Sequence, residues 1–563
     1  MGSPSCTCAL PLVWYLLQII RMAVRSSTAA DQQQQQQQQQ AAVIEAIKMQ
    51  IHFRPGSNEE VKKLTRRLVG RIMNRSITPD GVRRLVRRVA DPTVTIELSS
   101  VSGVALVCLL ALAIDDFSSP TALESALQLW PSFMPPGRLV LPLWPSRQIQ
   151  AGIINALVDE GADVDGLVGG SKRPVEVAVR AGNAMGVRTL VGTHGAEVYG
   201  MGLLHVPYEI RVATEQYEDA LIDIFGYLLE QDPDLATETD VTGNDVVHSA
   251  AGAGHVYSRG FIEAYLDLVT ANGATLTHVG HAGRTALHTA CVFSAHHVVE
   301  YLCDNLTPAD INATDNGIVL PPQTPLVCAA GSVARLADPH RPILVYENRD
   351  KAIEGMKGAV RTLLRSGAAI GVMPTAARRV ALDQYVKVLN ALPTAVMGAI
   401  NAALTPQRSL AAVITPRLAV GPNEAPIFGW CIASYLFDMD AAKAGISEAI
   451  GVRGSDLARR VCAAAQHFVE SAVYKASSNM EVVRHKESVE GEMVRVPLQC
   501  FAMRAGSRVR RLGVREVVHK ARLHEVAAHG LQGVVKGFNT HLGNTDCVFQ
   551  WGQLGWADAS GRH

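Results

Sequence analysis

A mainly α fold with a long array of repeated units at its centre is what this sequence predicts, and three observations carry the prediction. The chain has 563 residues, too many for one ordinary hydrophobic core, so it must split into domains or stack repeats. Ala, Val, Leu and Gly dominate while aromatic residues make up 5%, a composition that suits closely packed helices. From about residue 150 a Gly-Ala pair recurs at a set distance ahead of a short apolar run. With 48% hydrophobic residues, the chain as a whole is not disordered.

Charge is balanced overall but not locally. Residues 61–90 hold ten Lys or Arg against Asp80 alone, and residues 501–540 hold eight basic against two acidic residues. Residues 151–330 hold seven basic and twenty-three acidic residues, a formal charge of −16. That middle segment should repel nucleic-acid phosphates and prefer proteins with basic surfaces. The ten cysteines are scattered without a CxxC pair, which argues against a disulfide framework or a structural zinc site. It points instead to a reducing, intracellular and cytoplasmic setting.

Taken in order, residues 9–20 (ALPLVWYLLQII) form an apolar run closed by Arg21, shorter than the ~20 residues a membrane-spanning helix needs. No positive charge precedes the run, as a secretory signal would require. Cys6 and Cys8 beside it suggest sites for palmitate. Gln32 to Gln40 make a polyglutamine spacer. In residues 61–90, Val61, Leu64, Leu68 and Ile72 recur at helical spacing among Lys62, Lys63, Arg66, Arg67 and Arg71. TPDG (Thr78 to Gly81) interrupts the pattern before Val82, Leu85, Val86 and Val89 resume it. This predicts a basic helical hairpin that covers the next element, or folds back on the acidic repeats as a competitor of a basic ligand. Membrane contact through residues 1–25 or 61–90 is the lesser reading. The run 101–114 (VSGVALVCLLALAI) is expected to be a core helix.

The repeated pattern is clearest in NGATLTHVGHAGRTALHTACVFSAHHVVEYL, beginning at Asn272. Gly273-Ala274 precedes Thr285-Ala286-Leu287-His288 by the same offset that separates Gly161-Ala162 from Arg173-Pro174-Val175, and Gly367-Ala368 from Arg379-Val380. Another copy runs from Asp234-Leu235 to Asp245-Val246-Val247-His248, and QTPLVCAA (Gln323 to Ala330) is a further one. These residues resemble the ankyrin repeat, whose period is about 33 residues and whose signature includes T-P-L-H-x-A. The resemblance covers residues 150–390, is poorest at 203–231, and carries an insertion between Ala330 and Val360. It implies a solenoid of stacked helix–turn–helix units with a helical N-terminal extension and a mixed, mostly helical C-terminal one.

Each slot has a structural job. Thr285 and Thr324 suit helix N-caps, and Pro174 and Pro325 suit the first helical turn. Leu287 and Leu326 are expected to bury against a neighbouring repeat, with the small residues Ala290, Ala329 and Ala330 permitting close helix packing. Gly161, Gly273 and Gly367 supply the left-handed backbone that ends a helix. In the resembled family the slot of His248 and His288 is a structural histidine tying a helix start to neighbouring backbone. Cys291, Cys303 and Cys328 read as small core residues.

Function in ankyrin-like arrays is protein recognition, so the resemblance implies a non-enzymatic adaptor or scaffold with other proteins as partners. By geometry, the projecting turns nominate Asp165, Ser171, Lys172, Asp240, Thr242, His281, Asp315 and Asn316. The first helices nominate Glu176, Arg180, Ser249, Thr289 and Phe293.

The proline-punctuated segment 405–426 reads as a linker. Beyond it, Leu457, Val461, Ala464, Phe468 and Val469 mark one helix face, and EMVRVPLQCFA alternates like a strand. His524-Glu525 and His529 resemble a zinc-protease motif, but the histidines lie five residues apart, turning them about 140° from each other on a helix. A basic helix carrying Arg510, Arg511, Arg515, Lys520 and Arg522 is the reading preferred. No phosphate loop, serine elbow or kinase signature stands out, so no catalytic, cofactor or metal residues are expected. The chain thus reads as an extension at 1–60, a basic hairpin at 61–92, a repeat array at 100–400, a linker at 405–426 and an unassigned helical region at 427–563. Two rival readings are an enzyme within 427–563 whose repeats recruit substrate, and an adaptor attached to membrane through residues 1–25.

Overall fold

The computed structural model describes residues 48–100, 103–114, 144–166, 173–207, 213–317, 321–338, 349–371, 373–418 and 425–477. Towards the C-terminus it describes 486–489, 492–495, 501–505, 508–535, 537, 551 and 554–556. The apolar run at 9–20, the polyglutamine tract, Ser171 and Lys172 lie outside these residues. The fold is mainly α, with paired helices recurring along its middle. Contacts divide the chain into two units. One holds Met1–Leu302, Thr314–Pro322 and Arg335–Gly355; the other holds Cys303–Ala313, Gln323–Ala334 and Met356–His563.

The first unit opens with an antiparallel sheet of β1 (Lys48–His52), β2 (Thr95–Ser100) and β3 (Gly103–Cys108), in that order. Between β1 and β2 lies the basic hairpin. Helix α1 (Glu59–Met73) is capped by Asn58 and buries Thr65, Leu68, Val69 and Ile72. The helical run breaks at residues 74–78, and TPDG starts the second helix: Thr78 caps α2 (Pro79–Arg87), and Pro79 occupies its first turn.

The 101–114 run is not one helix. Val104 and Val107 lie in β3, paired in register with Ser99 and Ile96 of β2, and only Leu109–Ile114 forms a helix, α3, buried at every position. β-Branched residues favour the strand, and the leucine- and alanine-rich remainder favours the helix. Donors from elsewhere serve the carbonyls at the end of α3. Arg75 Nη1 reaches Leu112 O at 2.6 Å, Trp144 Nε1 reaches Ala113 O at 3.1 Å, and Gln150 Nε2 reaches Ile114 O at 2.9 Å.

Helix α4 (Arg147–Asp159) packs against α2. Arg83 pairs with Asp159 at 3.4 Å and Arg87 with Glu160 at 3.1 Å. A Cβ on Gly152 would come within 2.7 Å of Pro79 Cγ, so the helices meet at close range. The hairpin therefore covers the end of α4, and its ion pairs reach that helix's C-terminus.

The repeats follow: α5 (Pro174–Arg180) with α6 (Ala184–Arg188, extended by a wide turn to Thr193), then α7 (Glu215–Gln231). Next come α8 (Val246–Ala253) with α9 (Arg259–Ala271), and α10 (Ala286–Phe293) with α11 (His296–Asn305). Gly161 and Gly273 have φ of +103° and +105°, and each lets the next amide turn back into the helix it ends. Ala162 N donates to Leu157 O at 2.8 Å and Ala274 N to Val269 O at 3.0 Å.

The poor match at 203–231 has a visible cause. Residues 203–207 form no regular helix; Leu203, Leu204 and Val206 are buried, and aromatic hydroxyls from later elements serve this stretch. Tyr265 donates to Leu204 O at 2.8 Å and Tyr257 to Pro207 O at 2.7 Å.

In the second unit, Gly367 repeats the same helix ending, with Ala368 N donating to Leu363 O at 2.9 Å. After α12 (Pro308–Ile311), α13 (Pro325–Leu336) and α14 (Arg349–Arg365) comes α15 (Thr375–Ile414), a helix of 40 residues. It carries both Pro393 and Pro406 in its interior, so the linker expected at 405–426 begins inside a helix. A proline in a helix interior costs about 3 kcal/mol. Leu389, Leu392, Val396, Ile400 and Leu404 are all buried, and each contributes about 1.5–3 kcal/mol, so packing outweighs both prolines.

Helix α15 with its terminal turn to Arg417 is the one described helix long and apolar enough to cross a bilayer. In this unit it packs against α16 (Ala425–Tyr435), α17 (Met439–Ile450), α18 (Asp456–Ser477) and α19 (Val514–His529).

The strand expected across EMVRVPLQCFA is divided. Its start lies in β5 (Glu492–Arg495), paired with β4 (Lys486–Val489), and its end in β6 (Phe501–Ala505). β6 lies between β7 (Arg508–Leu512) and β8 (Leu554–Trp556). Arg510 and Arg511 therefore belong to a strand. The basic helix is shorter than expected, and its Arg522 is fully buried.

Candidate protein-recognition surface

Two projecting turns of the first unit are built alike. Thr239 pairs with Asp245 and Val279 with Thr285 in isolated antiparallel bridges. Asp240 N donates to Asn244 O at 2.8 Å, and Gly280 N donates to Arg284 O at 2.8 Å. Gly243 and Gly283 take positive φ, +82° and +71°, as a tight turn requires. Each turn leads directly into a first helix, α8 or α10.

Neighbouring turns are held in register by polar contacts. Asp165 Oδ1 accepts Glu197 N at 3.0 Å, and Glu238 Oε2 accepts Gly202 N at 3.0 Å. Asn244 Oδ1 accepts His281 N at 3.1 Å, while His278 Nε2 lies 3.0 Å from Gly243 O. Asn316 N donates to Ala282 O at 3.0 Å, and the Asn316 side chain lies so close to Gly283 that a Cβ there would collide with it at 2.2 Å. Holding the turns this way removes loop entropy in advance of any binding event.

The helix starts beneath the turns are held by the two histidines. His288 Nδ1 lies 2.9 Å from Thr285 Oγ1 in a capping box. In the preceding copy Asp245 replaces the threonine. Its carboxylate accepts His248 N at 2.9 Å and lies 2.6 Å from His248 Nδ1, while Nε2 lies 2.9 Å from Arg284 O. Both histidines are buried, as are Leu287, Ala290 and Leu326. Arg173 precedes Pro174 at the first turn of α5. In the second unit Thr324 Oγ1 accepts Val327 N at 3.4 Å ahead of Pro325.

The nominated binding residues sort by environment. Thr242, His281 and Asn316 are exposed, and Asp165 and Asp240 are half-buried at the turns. Asp315 is 8% exposed and directs its carboxylate to Arg284, 3.4 Å away, so it braces the turn. Glu176 accepts Arg173 N at 2.7 Å and caps its own helix. Arg180, Ser249, Thr289 and Phe293 are half-buried on the first helices. Sequence reasoning missed the apolar members of the surface: Tyr199, Val241 and Val279 are 63%, 106% and 57% exposed. They lie on three turns in succession along the chain. Exposed large apolar groups between acidic ones are the available signal.

Electrostatics favour a fixed negative charge here. Burial works to raise the Asp240 carboxyl, but hydrogen bonds from the hydroxyl and amide of Thr242 and from Asn244 outweigh it and hold the group below the ordinary carboxylate range. Arg173 pairs with Glu197 on the neighbouring turn. In the second unit, Glu525 lies 2.9 Å from the Tyr385 hydroxyl and 3.6 Å from His529 Nε2. Among the described residues no group of His, Cys, Asp or Glu is arranged to hold a metal ion.

His205 lies below these turns with its Nε2 buried and without a hydrogen-bond partner among the described residues. Burial lowers its pKa; Asp240 and Asp245 pull the other way, and Arg180 adds to the lowering. The unfolded chain then binds more protons just below the ordinary histidine value. Stability is complete above that value and falls as pH drops through the folded one. His255 and His296 are lowered chiefly by burial as well. Thermal melts between pH 7 and 5 should show the first unit losing stability. His205→Gln should flatten that slope; an unchanged slope would show that His205 is not a contributor.

No family model matches this chain, and no curated protein matches it. Among solved structures, the ankyrin repeat domain of Bcl-3, described as a unique member of the IkappaB protein family, is similar over 49% of this chain and 95% of its own. The identity is 14% and the TM-score 0.26. The class the described fold defines is a mainly α protein with repeated helix–turn–helix units.

Proposed function

We propose that this chain is a non-enzymatic, intracellular adaptor that binds an extended, basic segment of another protein along its projecting turns. The observation that supports this is the row of exposed Tyr199, Val241 and Val279 on turns fixed to one another and set in the acidic stretch of the sequence. Charge steers the encounter, and the few apolar contacts set the lifetime. The negative charge that draws in Lys- and Arg-rich segments also repels nucleic-acid phosphates.

Selection of displayed peptides on the full chain tests the reading. Selected sequences should be rich in Lys and Arg with one or two aliphatic or aromatic residues, and should bind less tightly as salt rises. Tyr199→Ala with Val241→Ala and Val279→Ala should weaken binding by about 100-fold or more, since each anchor contributes on the order of 1–2 kcal/mol. Acid-rich selected sequences, or binding indifferent to the triple variant, would overturn it.

A further inference from the structure

The second unit carries an apolar stripe and an apolar slot side by side. On α16, Phe428, Ile432, Tyr435 and the adjoining Leu436 are 55%, 37%, 82% and 68% exposed. Their spacing is that of the anchors by which an amphipathic helix seats in a groove. Val413, near the end of α15, is 51% exposed.

Next to the stripe lies a cavity of about 430 Å³ between α15 and α17, walled by Ala399, Ala403, Pro406 and Leu410 on one side and by Ala441 and Gly445 on the other, with Leu436 of the stripe and Phe437 at its edge. The α15 positions follow one another at three- and four-residue steps, a helical seam of mostly small residues. A dry cavity of 150 Å³ holds a benzene ring, so this one has room for about three large side chains.

We propose that a second copy of this chain fills the slot: α16 of each copy seats its stripe between α15 and α17 of the other, in a two-fold symmetric dimer. A patch bearing both the protruding groups and a recess of matching size is what an isologous interface requires. Area points the same way. Five exposed side chains of this size present roughly 500 Å², about the largest apolar patch an ordinary monomer shows. With the slot walls added they reach roughly 600 Å² per partner, the lower end of the range for a specific interface. Charge offers no obstacle, since Asp438 is the one charged residue lining the slot. This inference uses none of the first unit's turns.

Sedimentation velocity of the full chain over a wide concentration series tests it, and the wild type should sediment as a dimer. Phe428→Glu with Tyr435→Glu, both at exposed positions, should weaken self-association by about 100-fold or more while leaving the far-UV circular dichroism spectrum unchanged. Ala441→Arg, which fills the slot while leaving the stripe intact, should weaken it similarly. Mixing the two variants should restore part of the dimer, because one intact stripe then meets one intact slot. A wild type that stays monomeric at every concentration, dimers that survive both variants, or a monomer that sediments with lipid vesicles through Phe428 and Tyr435 would each overturn the proposal.

Discussion

Asp245→Ala should destabilise the first unit by about 3 kcal/mol, the sum of a lost helix cap of about 1–2 kcal/mol and a lost hydrogen bond to a charged group of about 1.5–3. Asp245 is 5% exposed and ends the turn that projects ahead of α8. Alanine leaves His248 N and Nδ1 buried without their acceptor, while Nε2 keeps its place beside Arg284 O. Asp245→Thr should cost no more than about 1 kcal/mol, because Thr285 already performs this task for His288 in the next copy. Melting curves of the three proteins decide the matter. If threonine proved as damaging as alanine, the two copies would not be equivalent at this slot.

Arg522→Ala should be the most damaging single change in the second unit, costing about 3–5 kcal/mol through the lost volume and the polar groups left behind. The side chain is fully buried, and burial pulls the guanidinium pKa down to about 10. Its Nη2 donates to Asn390 Oδ1 at 3.1 Å and to Val535 O at 2.6 Å, and its Nη1 lies 3.3 Å from His519 Nδ1. Asn390 in turn donates to Gly533 O at 3.1 Å and accepts Val535 N at 3.0 Å. One guanidinium thus helps hold α15, α19 and residues 531–535 together. The variant should expose that segment to protease under native conditions, and Arg522→Met should recover the part of the loss due to volume. Equal protease resistance in wild type and Arg522→Ala would show the contact to be incidental.

Much of the repeat region was legible because its signals are local. A Gly-Ala pair at a helix end, or a threonine three residues before a histidine, acts within one turn of backbone, and the pattern can be read wherever it recurs. The stretch at 203–207 was illegible for the opposite reason: tyrosines some fifty to sixty residues downstream, Tyr257 and Tyr265, supply its hydrogen bonds. The 101–114 run misled because buried strand and buried helix are equally apolar, and only pairing with β2 separates them. Pro406 misled in another way, since propensity penalises a proline without seeing the burial that offsets it. Asp315 was expected on the surface because turns are polar on average, and Arg284 draws it inward. The exposed Tyr199, Val241 and Val279 were missed because hydrophobic residues in a repeat pattern read as core.

The seating of α2 on α4 has a consequence for how such a chain can lengthen. With Arg83 and Arg87 already engaged by Asp159 and Glu160, that face of α4 is occupied, and a duplicated unit inserted ahead of it would first have to displace the hairpin. Growth in copy number is easier in the interior, where the insertion meets a surface already shaped to receive its like.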